Sequence, residues 1–224
     1  MKKKLLVLAN SIKGRDHRCV AGIEVTSSGL DSPTFGKWVR PIDENEREGA
    51  ILESTSCISY SQVSHLDVIE IDFSRHANDA NHQEDWVINK EVPWRLEGKL
   101  DASVFSKLSI GNYDRWGGET GISPGQFPTS LQLLRLQANM RVTGSFEEWD
   151  GELSFKRKAH FDDYSCGVTD PNFSRKYNLF AKHVGRHETK TINVNAGSYI
   201  VLSLTPPFGA KNLQYRVVAS IFET

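Results

Sequence analysis

Long apolar runs, paired cysteines and a strong excess of either charge are all missing from this 224-residue sequence. No stretch approaches the roughly 18 consecutive apolar residues of a membrane-spanning helix, so no membrane role is expected. The basic start, MKKKLLVLANSIKGR, leads into an apolar run of only five residues, Leu5 to Ala9. A secretory core needs about 7–15, so this run is read as a first strand. Cys19, Cys57 and Cys166 stand far apart, odd in number and without a CxxC. That argues against a zinc ribbon or disulfide framework and for a reducing cytoplasm. Net charge is −1. Residues 1–120 hold 15 Lys and Arg against 19 Asp and Glu, and residues 121–224 hold 12 against 9. A polyanion site would therefore be a local patch and not a general basic surface.

Catalytic signatures are lacking too. The one GxSxG string, GISPG at 121–125, lies in a Gly- and Pro-rich stretch and not at a strand-to-helix elbow, and there is no GxxxxGK[ST] loop, no GxGxxG after a strand and no HExxH, so nucleophilic, P-loop and dinucleotide chemistry find no support. Long helical patterns are nearly absent, which sets aside parallel βαβ architectures.

What is present has a period of two. LLVLANSI, HRCVAGIEV, FGKWVRPI and HLDVIEIDFS read as strands in the first third. SLQLLRLQA, MRVTGSFEEW, ELSFKRKAHF, SYIVLSLTPPF and LQYRVVASIF repeat the pattern later. One helix is predicted over DASVFSKLSIG, capped by Asp101, burying Val104, Phe105 and Leu108, and ended by Gly111. The Gly- and Pro-rich stretch from Asn112 to Ser130 is too punctuated for an element interior. It places a domain boundary between 120 and 121, with domains over 1–120 and 121–224. The expected fold is all-β, mainly antiparallel with short helices, built as two small barrels.

FGKWVRPI, LDVIEI, NHQEDW, VTDPNFSRKY and LSLTPPFGAKNLQYRVVASI, in this order, resemble a bacterial family, the dual OB-containing domain. The resemblance runs from Leu5 to Phe222. It implies two oligonucleotide-binding (OB) barrels in tandem, and a nucleic-acid-binding role that is inferred from that fold.

Several constellations could carry chemistry. Lys156, Lys158 and His160 share one face of a strand at about 6.5–7 Å spacing, with Leu153, Phe155, Arg157, Ala159 and Phe161 on the other. The row could track successive phosphates of a single strand, with Tyr164, Arg175, Lys176 and Tyr177 extending the same surface; it could equally be a solvated outer face. Trp38 and Arg40 share a face and could stack a base and pair a phosphate, or be a core Trp with an edge Arg. NHQEDW could read base edges through His82 and Gln83, or be a turn or helix start. His183 and His187 have the i, i+4 spacing of zinc ligands on a helix, with Gly185 between them. His160, Asp162 and Asp163 could complete a metal site for phosphodiester hydrolysis. Cys166 lies six residues after His160 and reads as a buried structural thiol, and Asp170-Pro171 reads as a structural corner.

The expectation is a non-enzymatic, cytoplasmic protein without cofactor or metal that binds nucleic acid, single strands favoured, through Trp38, Arg40, Lys156, Lys158, His160, Tyr164, Arg175, Lys176 and Tyr177. A metal-dependent nuclease or phosphoesterase using His160, Asp162, His183 and His187 is one alternative. An adaptor binding a protein or a small nucleotide is the other.

Overall fold

The computed structural model describes residues 1–13, 16–46, 49–52, 54–55, 57–58, 61–111, 121–127, 129–161 and 164–224. The chain divides into two compact units, one of Met1–Ser109 with Gly125–Ser130, the other of Ile110–Pro124 with Leu131–Thr224. Most of the Asn112–Ser130 stretch, including residue 120 on the expected boundary, lies outside the described residues.

The first unit contains β1 (Lys2–Ile12), β2 (His17–Val25), β3 (Phe35–Ile42), β4 (Ile51–Leu52), β5 (Cys57–Ile58), β6 (Ser61–Gln62), β7 (Asp67–His76), β8 (Asp85–Ile88) and β9 (Arg95–Lys99). Strands run β1-β2-β3-β8-β7, and β7 pairs back onto β1, from Lys2 opposite Asp72 to Leu6 opposite Val68. That last pairing closes a five-stranded barrel, with β3 and β8 parallel and the other seams antiparallel. β9 adds to β7 outside the ring and β4 adds to β2.

Alternation selects the interior. Leu5, Val7, Val20, Val39, Ile69, Ile71, Phe73 and Ile88 form one buried cluster, each such side chain contributing about 1.5–3 kcal/mol. Leu6 and Leu8, of opposite parity, are also fully buried, so β1 is covered on both faces. The two strands of the first hairpin approach very closely beside their bulge at Val7/Ala9. A Cβ on Gly22 would sit 2.2 Å from the Leu6 carbonyl oxygen, so glycine is required there.

The second unit contains β10 (Leu131–Arg135), β11 (Met140–Trp149), β12 (Glu152–His160), β13 (Ser165–Val168), α1 (Pro171–Lys176), β14 (Thr189–Val194), β15 (Tyr199–Leu204) and β16 (Arg216–Phe222). Its sheet runs β10-β15-β16-β13-β12-β11-β14, with β13 and β16 parallel. The two ends of that path are two halves of one ladder. Leu131 faces Ser203, Arg135 faces Tyr199, Met140 faces Val194 and Ser145 faces Thr189. One register thus persists through a break common to both strands. The break is bridged by Leu136 N–H to Ser198 O and Gly197 N–H to Leu136 O, each 2.8 Å. With β10/β11 counted as a first strand and β14/β15 as a fourth, this is again a closed five-stranded barrel. α1 lies between the third and fourth strands.

The chain is therefore all-β with short helices, folded as two barrels. The helix predicted over 101–111 is a 3₁₀ helix, Ala102–Lys107, with Asp101 accepting from Ser103 N–H as expected and Val104 and Phe105 buried. It ends at Leu108, short of Gly111. The Asp170-Pro171 corner opens α1: Asp170 Oδ1 accepts from Asn172 and Phe173 N–H at 2.8 and 3.1 Å, and Pro171 needs no partner at the first helical position. Its other oxygen accepts from Ile221 N–H at 2.8 Å, tying the helix start to β16.

Candidate functional site

In an OB barrel the outer face of the second and third strands, with the loops joining strands 1–2 and 4–5, holds the ligand. In the second unit these are β12, β13, the Asp150–Gly151 turn and residues 205–215. Lys156, Lys158 and His160 share one face of β12, opposite Ser145, Thr143 and Arg141 of β11. Lys156 is exposed. Lys158 Nζ reaches Glu147 Oε2 at 2.7 Å, with both side chains a little over a third exposed. His160 Nε2 lies 2.8 Å from Thr143 Oγ1. Partial burial, then Arg141 and Lys158, lower its pKa.

Beside this row a hollow of about 360 Å³ is lined by Lys156, Lys158, Ser165, Gly167 and Tyr215. The 205–215 loop folds back on itself. Phe208 and Leu213 exchange backbone hydrogen bonds, and Gly209 and Asn212 take positive φ at the tip. This sets Phe208 and Tyr215 ring to ring at 4.8 Å, both exposed. Neither was singled out from sequence; the signal available was two aromatics flanking a Gly-containing turn before the last strand. At the other end of the row, Glu147, Glu148 and Glu152 gather with Lys156 around a second hollow.

The remaining expected members do not join this surface. Arg157, on the opposite face of β12, donates from Nη1 to Ser174 Oγ of α1 at 2.8 Å. α1 therefore packs on the side away from Lys156 and Lys158, and Arg175, Lys176 and Tyr177 go with it. Glu223 holds two of them, accepting from Lys176 Nζ at 2.7 Å and Tyr177 OH at 2.5 Å. That carboxylate raises the pKa of both groups. Tyr164 is buried, stacked on Phe161 at 4.6 Å and covered by the Arg216 guanidinium at 4.3 Å. The single surface expected from sequence thus separates, because the chain turns into a helix at Pro171 and carries the last cations round to the other side.

In the first unit, Arg40 is buried and donates from Nε to Asp85 Oδ1 at 2.6 Å and from Nη2 to Asp85 Oδ2 at 2.8 Å. Burial opposes its charge, but Asp85 outweighs that and raises the pKa of the guanidinium. It is a structural ion pair and offers nothing to a phosphate. Trp38 is half-buried and borders two hollows. The NHQEDW segment is a turn, with Asp85 N–H donating to the His82 carbonyl at 3.1 Å, and neither a loose polar loop nor a helix start: Asp85 begins β8, while His82 and Glu84 are buried. Glu84 accepts from the Ser130 hydroxyl and, at 3.3 Å, from Ser130 N–H. Among the described residues His82 finds no hydrogen-bond partner for either ring nitrogen. Burial, with Arg40 and Lys13 nearby, lowers its pKa to about 3.

The metal ligands of the alternative reading, His160, Asp162, His183 and His187, are not shown assembled among the described residues. His183 closes a single 3₁₀ turn, Ala181–His183, and Val184 is extended, so His183 and His187 do not share a helical face. Asp162 and Asp163 lie outside the described residues. Among the described residues no group of three or more His, Cys, Asp or Glu is placed to hold a metal. Cys166 is buried, which pushes its thiol up to about 12, and it is inert at neutral pH.

A search of curated proteins gives no match. The family model described as dual OB-containing domain matches residues 3–221, nearly the whole chain. Two closed five-stranded barrels, each with a parallel seam between its third and fifth strands, are what that description requires, and the chain belongs to the dual OB-containing domain family.

Proposed function

We propose that this chain is a non-enzymatic nucleic-acid-binding protein that engages single strands on the outer face of its second barrel. The observation that carries the reading is the placement of Lys156 and Lys158, two positions apart on β12, around one hollow with the exposed Tyr215, whose ring meets that of Phe208. Cations at that spacing follow a backbone while exposed rings stack bases, and stacking tolerates any sequence. Gly167 of β13, facing Lys158, leaves the floor between them flat. The acidic cluster at the β11–β12 turn limits the basic footprint to this short strip, which suits one strand better than a duplex.

Fluorescence anisotropy with labelled single-stranded and duplex oligonucleotides tests the proposal. Two neutralised phosphates give a log–log salt slope of about −1.4 for single strands. Tyr215→Ala and the pair Lys156→Ala/Lys158→Ala each weaken binding at least about fivefold, one lost stacked base being worth about 1–3 kcal/mol. No binding at low salt, or binding indifferent to both variants, overturns it.

A further inference from the structure

A separate hollow of about 500 Å³ opens at one end of the first barrel. Its base is set by two charges that face inward. Glu24 stands opposite Leu5 and Lys3 precedes Leu5 by two positions on the same strand, so both share the parity of the core. Lys3 Nζ lies 2.8 Å from Glu24 Oε1 and 4.4 Å from the centre of the Trp86 ring. Trp86 packs against the core cluster and meets His76 edge-on at 4.9 Å. This layer closes the dry interior and leaves a polar, aromatic chamber above it.

The chamber wall is held in place without a ligand. His76 Nε2 lies 2.7 Å from the Gln83 carbonyl oxygen, and its Nδ1 accepts from Asn78 N–H at 3.1 Å. One ring thus pins both ends of the 78–83 loop, with Asn78 in the left-handed region. The Gln83 side-chain amide takes no part in this. Trp38 forms another wall and also lines a second hollow of about 360 Å³. Lys37 stands next to it.

From these features we infer that the mouth of the first barrel binds one unpaired nucleotide, free or at the end of a strand. An indole supplies the stacking face, the Gln83 amide offers the donor and acceptor that read a base edge, and Lys37 supplies a cation for the phosphate, while the Asn78 amide is held by the His76 ring at 2.8 Å. The volume lies within the roughly 300–1,000 Å³ of small-molecule sites. Lys3 and Lys37 are balanced by Glu24 and Asp79 around the chamber, so it lacks the field of a groove that follows a polyanion. Every residue of this site belongs to the first unit, whereas the face proposed above belongs to the second.

Titration calorimetry on the full chain with AMP, GMP, CMP and UMP tests this, with a linear oligonucleotide and a circular single strand, which has no ends, as further arms. Saturable binding of at least one mononucleotide supports a free ligand; binding of linear but not circular strands, in a variant carrying Lys156→Ala and Lys158→Ala, supports a strand end. Either affinity falls at least tenfold in Trp38→Ala and in Gln83→Ala, the latter at an exposed position that leaves the fold intact, and is unchanged in the Lys156→Ala/Lys158→Ala pair. If neither ligand class binds by the millimolar range, or Gln83→Ala and Trp38→Ala bind as the parent does, the inference is overturned whatever the second barrel does.

Discussion

Arg40 and Asp85 face each other across the parallel seam of the first barrel and meet at two points, 2.6 and 2.8 Å, with both side chains under a tenth exposed. Removing one partner strands a buried charge, which costs about 3–5 kcal/mol, whereas replacing both with apolar groups of similar volume is often neutral. Arg40→Leu is therefore expected to lower the urea midpoint strongly, and Arg40→Leu/Asp85→Leu to recover most of the loss. Equal losses in the single and double variants would show that the pair is not what holds this seam.

His82 makes the stability of the same region depend on pH. Its folded pKa, about 3, lies below the ordinary 6.5, so the folded protein refuses a proton that the unfolded chain accepts. Its contribution is complete above about pH 7 and declines as pH falls from 6.5 towards 3, by up to about 1.4 kcal/mol per unit. His82→Phe is expected to flatten the stability profile between pH 6.5 and 4 relative to the parent. Parallel profiles would mean that the ring is relieved by a neighbour on acidification.

Glu147 competes with any phosphate for Lys158. The pair is exposed, so its loss changes stability by less than about 1 kcal/mol. Under the proposed function, Glu147→Gln is expected to tighten oligonucleotide binding about two- to fivefold, because Lys158 no longer has to leave a carboxylate to meet its phosphate. A weaker or unchanged affinity in anisotropy titrations would place the ligand elsewhere.

Asp170 serves three backbone N–H groups, those of Asn172, Phe173 and Ile221, from a fully buried position. Asp170→Ala leaves all three without a partner, and a cap alone is worth about 1 kcal/mol. The expected loss is about 3–5 kcal/mol, seen in chemical denaturation, with Asp170→Asn intermediate because its oxygen still caps the helix. An Asp170→Asn variant as weak as Asp170→Ala would show that the charge, not the cap, matters.

Longer strands were readable because alternation or an apolar run marks them: β2, β3, β7, β12 and β16 fall where period two places them, and β1, covered on both faces, shows as the run Leu5 to Ala9. β8 and β13 were not, being four residues long and each paired in parallel to a distant strand. The row Lys156, Lys158 and His160 was legible for the same reason as the strands, since strand geometry alone puts them on one face. Arg40 was misjudged because its partner lies 45 positions away, beyond any local pattern. Arg175 to Tyr177 were assigned to the wrong side because spacing along the chain does not say which way it turns after a proline. Phe208 and Tyr215 escaped notice because their proximity depends on a backbone reversal at Gly209 and Asn212.

The matched break in the β10/β11 and β14/β15 ladder behaves as a splice. An extra residue on only one side would rotate every later side chain on that strand between lumen and solvent, turning Val142 or Val201 outward. Lengthening of this wall must therefore come as equal additions to both strands, and deletions likewise, so the circumference can stay constant while the cylinder grows or shrinks in height.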